Sequence, residues 1–247
     1  MFVYANSTWM AYPNAVSIEK SETDTQTIAP VLVKLIQGKQ EKDFMKNFPN
    51  RTQLYESVRN LVFHVPMWFT MIFILLLSAI AGIKYLYLNK GNLNDDFWSE
   101  SLIKVAILAG LVGCATGAIW AKATWLTYWP RDPKLNGVAI GMLMYFAYLI
   151  LRANIKDEHQ KARISAVYNL FIFPIFISLI YFMPKLAEGS HHPGAGGSAT
   201  FKDYDLDNTL RAIFYPAILG WILIFLWMAR LKYRYKKLEY KALEEQQ

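Results

Sequence analysis

A single cysteine, Cys114, stands in the whole 247-residue chain. It lies inside an apolar run, and one thiol cannot build a disulfide framework, a CxxC redox pair or a thiolate zinc site. Charge is scarce as well. Asp, Glu, Lys and Arg make up 18% of the residues, against about 25% scattered over the surface of an ordinary soluble domain. Here they avoid long apolar stretches, which excludes a soluble globular fold. Few stretches lack bulky apolar residues, so a disordered chain is excluded too. No Walker-type phosphate loop occurs, and any ATP used on this protein's behalf is hydrolysed by a partner. No basic start followed by an uninterrupted apolar stretch marks a secretory signal, and no repeat of fixed period is present.

What abounds is apolar and aromatic surface, at 54% and 15% of the residues. About 20 consecutive apolar residues carry a helix across the hydrocarbon core. Five such runs occur, from Val65 to Leu88, Leu102 to Ala121, Leu135 to Leu151, Ile164 to Met183 and Ala212 to Leu231. The expected fold is therefore all-α: a polytopic membrane helical bundle of five visible spans. Its parts are an atypical N-terminal segment at 1–60, a transmembrane domain at 61–232 and a cytoplasmic tail at 233–247.

The net charge of +7 does not point to nucleic acid, because the basic residues flank apolar segments instead of forming one stripe with interleaved aromatics. They report orientation instead. The turns Lys84 to Lys104 and Arg152 to Arg163, with the tail Arg230 to Lys241, hold 13 Lys and Arg, against 6 in the alternate loops Lys122 to Lys134 and Lys185 to Arg211. By the positive-inside rule the tail faces the cytoplasm, and the aromatic and His-bearing loops face outward. Five spans then put the N-terminus outside, although residues 1–60 carry 7 Lys and Arg that pull the other way. The basic part of the tail meets anionic lipid or a partner, and its acidic end is solvated.

Four histidines are present. His159 sits among Lys156, Asp157, Glu158 and Lys161 in an inner turn and reads as a solvated surface residue. His64 opens the first span on the outward side, where an ionisable side chain is a functional candidate by default. His191 and His192 lie in an outward Gly-rich loop. Neutral imidazoles suit zinc, copper and haem iron, but a structural zinc site needs four ligands, and the outward loops offer few carboxylates and no thiolate. Haem needs only two axial ligands, a flat apolar wall and cations for its propionates. The plain alternative is that His64 snorkels at the interface and the His pair fills a loop.

The stretch after the second run bears on that choice. From Trp120 to Lys134 it holds Trp120, Trp125, Tyr128 and Trp129 within ten positions, followed by Arg131, Asp132 and Lys134. Interfacial aromatic belts spread over many helix ends, whereas these rings crowd one loop beside cations, an arrangement suited to a planar, apolar, doubly anionic ligand.

This loop resembles the tryptophan-rich WWD signature of the CcmC/CcsA haem-handling proteins of cytochrome c maturation, which in the short CcmC type runs W-G-x-P-x-W-G-x-W-W-x-W-D-x-R-L. Trp120, Trp125, Trp129, Asp132 and Leu135 match, and Lys134 conserves the charge of the Arg. Ala121, Ala123 and Leu126 depart from Gly, Pro and Gly, while Tyr128 and Arg131 each replace a Trp. The resemblance extends from His64 to about Arg230. Family members of the short type have six spans, so the missing one is expected before His64.

The resemblance implies haem b bound non-covalently and in transit, its iron between His64 and His192, with His191 the competitor by adjacency. It implies a ring edge against Trp120, Trp125, Tyr128 and Trp129, and propionates paired with Arg131, Lys134 or Arg211. Asp132 would fix the loop by accepting backbone N–H groups or pairing with a cation. It further implies a bacterial inner-membrane location with the haem site facing the periplasm, a membrane-anchored periplasmic haem chaperone as acceptor, and ABC-transporter ATPase and permease subunits as partners. The chain would be a haem transport and delivery protein and not an enzyme. Two other classes stand beside it: a b-type cytochrome electron-transfer subunit, and a cofactor-free membrane scaffold or transporter subunit.

Overall fold

The structure is a computed structural model, and it describes residues 59–89, 91–187, 190, 192 and 208–245. The N-terminal segment expected at 1–60 lies almost wholly outside the described residues, as does His191.

Five helices long and apolar enough to cross a membrane form the bundle among the described residues. Helix α1 is Leu61–Leu88, its last turn, Lys84–Leu88, wound as a π-helix. Helix α2 is Leu93–Trp125, α3 is Pro133–Ala153, α4 is Glu158–Leu186 with a π-turn at Ser178–Phe182, and α5 is Asn208–Glu244. The five apolar runs thus become five helices, and the 233–244 tail continues α5 without a break.

Helix starts follow from capping chemistry. The first N–H groups of a helix have no partner within it, and a side-chain oxygen just outside supplies one. Asn92 accepts from the Asn94 N–H at 3.0 Å, Asp132 from Lys134 at 2.8 Å and Asp157 from Gln160 at 2.6 Å. Pro133 follows at the first position of α3, where its missing N–H costs nothing.

Helix α2 begins nine residues before its apolar run, at Leu93 and not Leu102. The added turns carry Asp96 and Glu100 into the bundle, where both are buried. Arg152, also buried, donates to both Asp96 oxygens at 2.7 and 2.8 Å and to Glu100 at 3.0 Å. Lys104 closes the group on Glu100 at 2.5 Å. Two carboxylates and two cations compensate one another, which is what makes burial of any of them tolerable.

Short connections make α1, α2 and α3 alternate in direction. The core between them is close-packed: Met67, Met71 and Ile74 of α1 meet Leu102, Ile103 and Ala106 of α2, and all six are fully buried. A polar knot pins three helices together, with Ser78 Oγ 2.8 Å from Ser99 Oγ and receiving the Asn169 amide at 3.0 Å. Helix α5 is tied to the start of α1 by the Trp221 indole, which donates to the Val62 carbonyl at 3.2 Å.

Candidate functional site

Close helix approach builds the first half of the site. In membranes, small residues four apart let two helices come near enough for side chains of one to seat on the backbone of the other. Gly113 and Gly117 on α2 do this for Trp68 and His64 on α1, themselves four apart. A methyl group at Gly117 would stand 2.5 Å from His64 Cε1, and one at Gly113 would stand 3.0 Å from Trp68 Cε2. His64 therefore fills space that any larger residue at Gly117 would occupy.

The ring is also oriented. His64 Nδ1 lies 3.0 Å from the Gly113 carbonyl, while the Thr116 hydroxyl, 3.4 Å from the same nitrogen, donates to the Val112 carbonyl at 2.8 Å. A carbonyl can only accept, so Nδ1 carries the proton and Nε2 is left with its lone pair. Trp68 and Trp120 stand edge-on to the imidazole at 6.2 and 5.8 Å between centroids.

The second half gathers around Asp132, which is fully buried. Besides capping α3, its carboxylate accepts the Ser190 hydroxyl at 3.1 and 3.3 Å and stands 3.3 Å from His192 Nδ1. The contact with His192 is a close approach and not an aligned hydrogen bond. Trp125 lies against the His192 ring, 5.1 Å between centroids and tilted by 60°. His64 and His192 share one end of the bundle, each against a tryptophan of the last turns of α2.

The tryptophan-rich stretch is not one loop. Trp120 and Trp125 belong to the last turns of α2, and the connection proper is residues 126–132. This follows from the register: the Thr124 hydroxyl bonds back to the Trp120 carbonyl at 2.8 Å inside a continuing helix. Leu126 ends that helix with φ +61°, a left-handed conformation that is costly for a residue with a side chain. The Lys122 ammonium donates to the Leu126 carbonyl at 2.9 Å and lies 5.4 Å from the centre of the Tyr128 ring, bracing the turn.

The expected site residues therefore separate into two sets. His64 with Trp120, and His192 with Trp125 and Asp132, form two contacting groups at one end of the bundle, and half-buried Lys134 gives its backbone N–H to Asp132. Tyr128, Trp129 and Arg131 are on the exposed surface of the connection. His159 is at the opposite end of the bundle, where its carbonyl accepts the Tyr85 hydroxyl at 3.1 Å. Two features escaped sequence reasoning. The G-x-x-x-G spacing of Gly113 and Gly117 was the signal for the His64 seat, and the acidic pair Asp96 and Glu100, read as a turn, was the signal for the Arg152 cluster.

Among the described residues no three His, Cys, Asp or Glu side chains come together to hold a bare metal ion. Two imidazoles are too few ligands for a bare ion and suit only a metal that brings its own equatorial ligands.

These observations define a class: a multi-pass α-helical membrane protein with two histidines, each against a tryptophan, at one end. Residues 15–247 match the family model described as Heme exporter protein C, and the chain belongs to that family. It is 27% identical over 182 residues to Heme exporter protein C of Bradyrhizobium diazoefficiens, a match covering 69% of this chain and 65% of the relative. It is also similar to the cytochrome c biogenesis protein CcsA of Cuscuta reflexa, 32% identical over 101 residues, and of Arabidopsis thaliana, 34% identical over 101 residues. Those matches cover 40% of this chain and 32% and 30% of the two relatives. The chain thus spans just under two thirds of the first of these relatives and about a third of the others.

Proposed function

We propose that this chain binds haem b non-covalently at the end of the bundle that carries His64 and His192, and delivers it for cytochrome c biogenesis. The observation that carries this reading is that two imidazoles stand at one end of the bundle, each against an indole. His64 turns Nδ1 to the Gly113 carbonyl and so keeps Nε2 for iron, and His192 has Nδ1 3.3 Å from the Asp132 carboxylate. Metal-bound histidines are held in this way by their outer partners. Two neutral imidazoles are the ligand set of a low-spin haem, and the porphyrin supplies the remaining four nitrogens. His191, adjacent to His192, is the alternative ligand on that segment.

The indoles of Trp120 and Trp125, each packed against one imidazole, exclude water from the iron. Tyr128 and Trp129 extend an apolar rim over which the macrocycle edge lies. Lys134, beside the histidines, and Arg131, on the exposed connection, are the cations for the propionates. Asp132 acts on His192 and on the connection and does not touch haem, since propionates repel a second anion. With Cys114 as its only thiol, the chain cannot retain haem by a pair of thioether bonds, so the cargo is handed on.

The acceptor in this reading is a membrane-anchored haem chaperone in the periplasm. ATPase and permease subunits of an ABC transporter supply the energy, because the chain has no phosphate loop of its own. The chain works as a transport protein and not as an enzyme. The membrane is the bacterial inner membrane, with the His64 end facing the periplasm, and the support for this is the 13 to 6 division of basic residues.

The test is the absorption spectrum and haem content of purified protein. The wild type and His159→Ala should carry a Soret band with low-spin features. His64→Ala and His192→Ala should lose most of the haem and fail to load an acceptor. Equal haem in all four proteins would overturn the bis-imidazole reading, and a colourless wild type would favour a cofactor-free scaffold.

A further inference from the structure

Away from the histidines, a groove of about 400 Å³ opens between α2 and α5 on the flank of the bundle. Its polarity changes along its length. On α2, Lys104 lies at one end and Leu108 one turn further along. On α5, Met228 and Leu231 come first and Lys232 and Tyr235 follow. The two helices run in opposite directions here: Tyr233 of α5 meets Trp98 and Asn94 near the start of α2, and the groove pairs Met228 with residues further along it. All three polar residues therefore sit at one end of the groove and the apolar ones at the other.

That division follows the charge pattern of the two spans. After Lys104 no charged residue appears until Lys122, and on α5 none lies between Arg211 and Arg230. The apolar half of the groove belongs to these uncharged stretches, and the lysines and the tyrosine lie at their ends, the position at which Lys and Tyr anchor best in a bilayer. The electrostatics select the sign of the occupant. Asp96 and Glu100 are compensated within the buried cluster by Arg152 and Lys104. Lys232 has no such acid among the described residues, and Arg230, Arg234 and Lys237 lie near it on the same helix. Basic recesses between spans at this depth suit anionic headgroups.

We infer that this groove is a binding site for one anionic phospholipid, its phosphate between Lys104 and Lys232, its headgroup hydroxyls at Tyr235 and one acyl chain along Leu108 and Met228. The chemistry recognised is a phosphate diester continuous with a hydrocarbon chain. Lys104 gives the site a link to the fold, because its ammonium is shared between the headgroup and Glu100, and through Glu100 with Arg152.

The experiment is native mass spectrometry of delipidated protein titrated with phosphatidylglycerol or with phosphatidylcholine of the same chains. Phosphatidylglycerol should be retained and phosphatidylcholine should not. Each lysine near a charged surface contributes about five-fold, so Lys232→Gln should weaken phosphatidylglycerol about five-fold and the Lys104→Gln/Lys232→Gln pair by about 25-fold. Leu108→Trp, which fills the groove without changing charge, should abolish retention.

Because Lys104 also props Glu100, Lys232→Gln and Leu108→Trp keep the test informative if the double variant folds poorly. Haem content should be unchanged in all three, which separates failure here from failure of the haem reading. Equal retention of the two lipids, an unchanged Lys232→Gln, or displacement by millimolar inorganic phosphate without lipid would overturn the site. A photocrosslinker at position 108 that captures a polypeptide instead of lipid would do the same.

Discussion

Replacing Gly117 with Ala adds one methyl group to the molecule and, on the bis-imidazole reading proposed above, should weaken haem binding about 10- to 100-fold. The new Cβ would stand 2.5 Å from His64 Cε1 and 3.0 Å from Nδ1, where ordinary contacts are 3.4–4 Å. The helices cannot separate to make room without unseating Trp68 from Gly113, so the imidazole must shift by about 1 Å, twice the ~0.5 Å that a preorganised site tolerates. That shift breaks the Nδ1 contact with the Gly113 carbonyl. Loss of such an outer partner costs about 10- to 100-fold in metal affinity. Ala also raises helix propensity by about 1 kcal/mol over Gly, so haem binding should fall without a matching loss of fold. Gly220→Ala is the control, since a Cβ there meets nothing within 4 Å. Haem titration by Soret absorbance, with thermal unfolding of the apoprotein in the same detergent, separates the two effects. A Gly117→Ala protein that binds haem within two-fold of Gly220→Ala would refute the argument.

Three further outcomes follow from the same geometry. Asp132→Asn keeps a good cap on α3 but removes the charge facing His192, and haem affinity should drop about 10-fold or more with unchanged helix content by circular dichroism; unchanged affinity would deny Asp132 its orienting role. Arg152→Met should destabilise the protein by about 3–5 kcal/mol, because Asp96 stays buried without its cation and Glu100 keeps only Lys104, and adding Asp96→Asn should restore much of the loss in thermal unfolding. A single variant as stable as the parent would contradict this. Gly137→Ala should cost about 1–3 kcal/mol by overpacking, since its Cβ would collide with the Leu179 backbone carbonyl in the π-turn of α4, and a melting temperature at or above the parent's would show that the turn gives way.

The spans were legible because hydrocarbon imposes a length that sequence must meet, and only their ends were misjudged. Asp96 and Glu100 fell inside the stretch read as an inner turn, Lys84 to Lys104, because one chain segment does not announce that Arg152, 52 to 56 residues away, will meet it. The roles of His64 and His192 as candidates followed from residue type and side of the membrane. The Gly113 and Gly117 seat did not, because a small residue has meaning only against the neighbour that closes on it. The Trp120 to Trp129 stretch was visible as aromatic density, yet its division between a helix end and an exposed connection depends on the turn at Leu126, a left-handed position that a leucine gives no sign of accepting. Asp132 before Pro133 was a readable helix start. Its reach to Ser190 and His192 was not.

The two imidazoles are mounted unequally. His64 is wedged between packed helices, whereas His192 meets, among the described residues, the Asp132 carboxylate that Ser190 and the first turn of α3 also use. If the two rings hold haem as proposed above, one grip is built into the bundle and the other rests on a single shared carboxylate. That reading predicts that His192 lets go first, so the order of departure follows from how unequally the two rings are mounted.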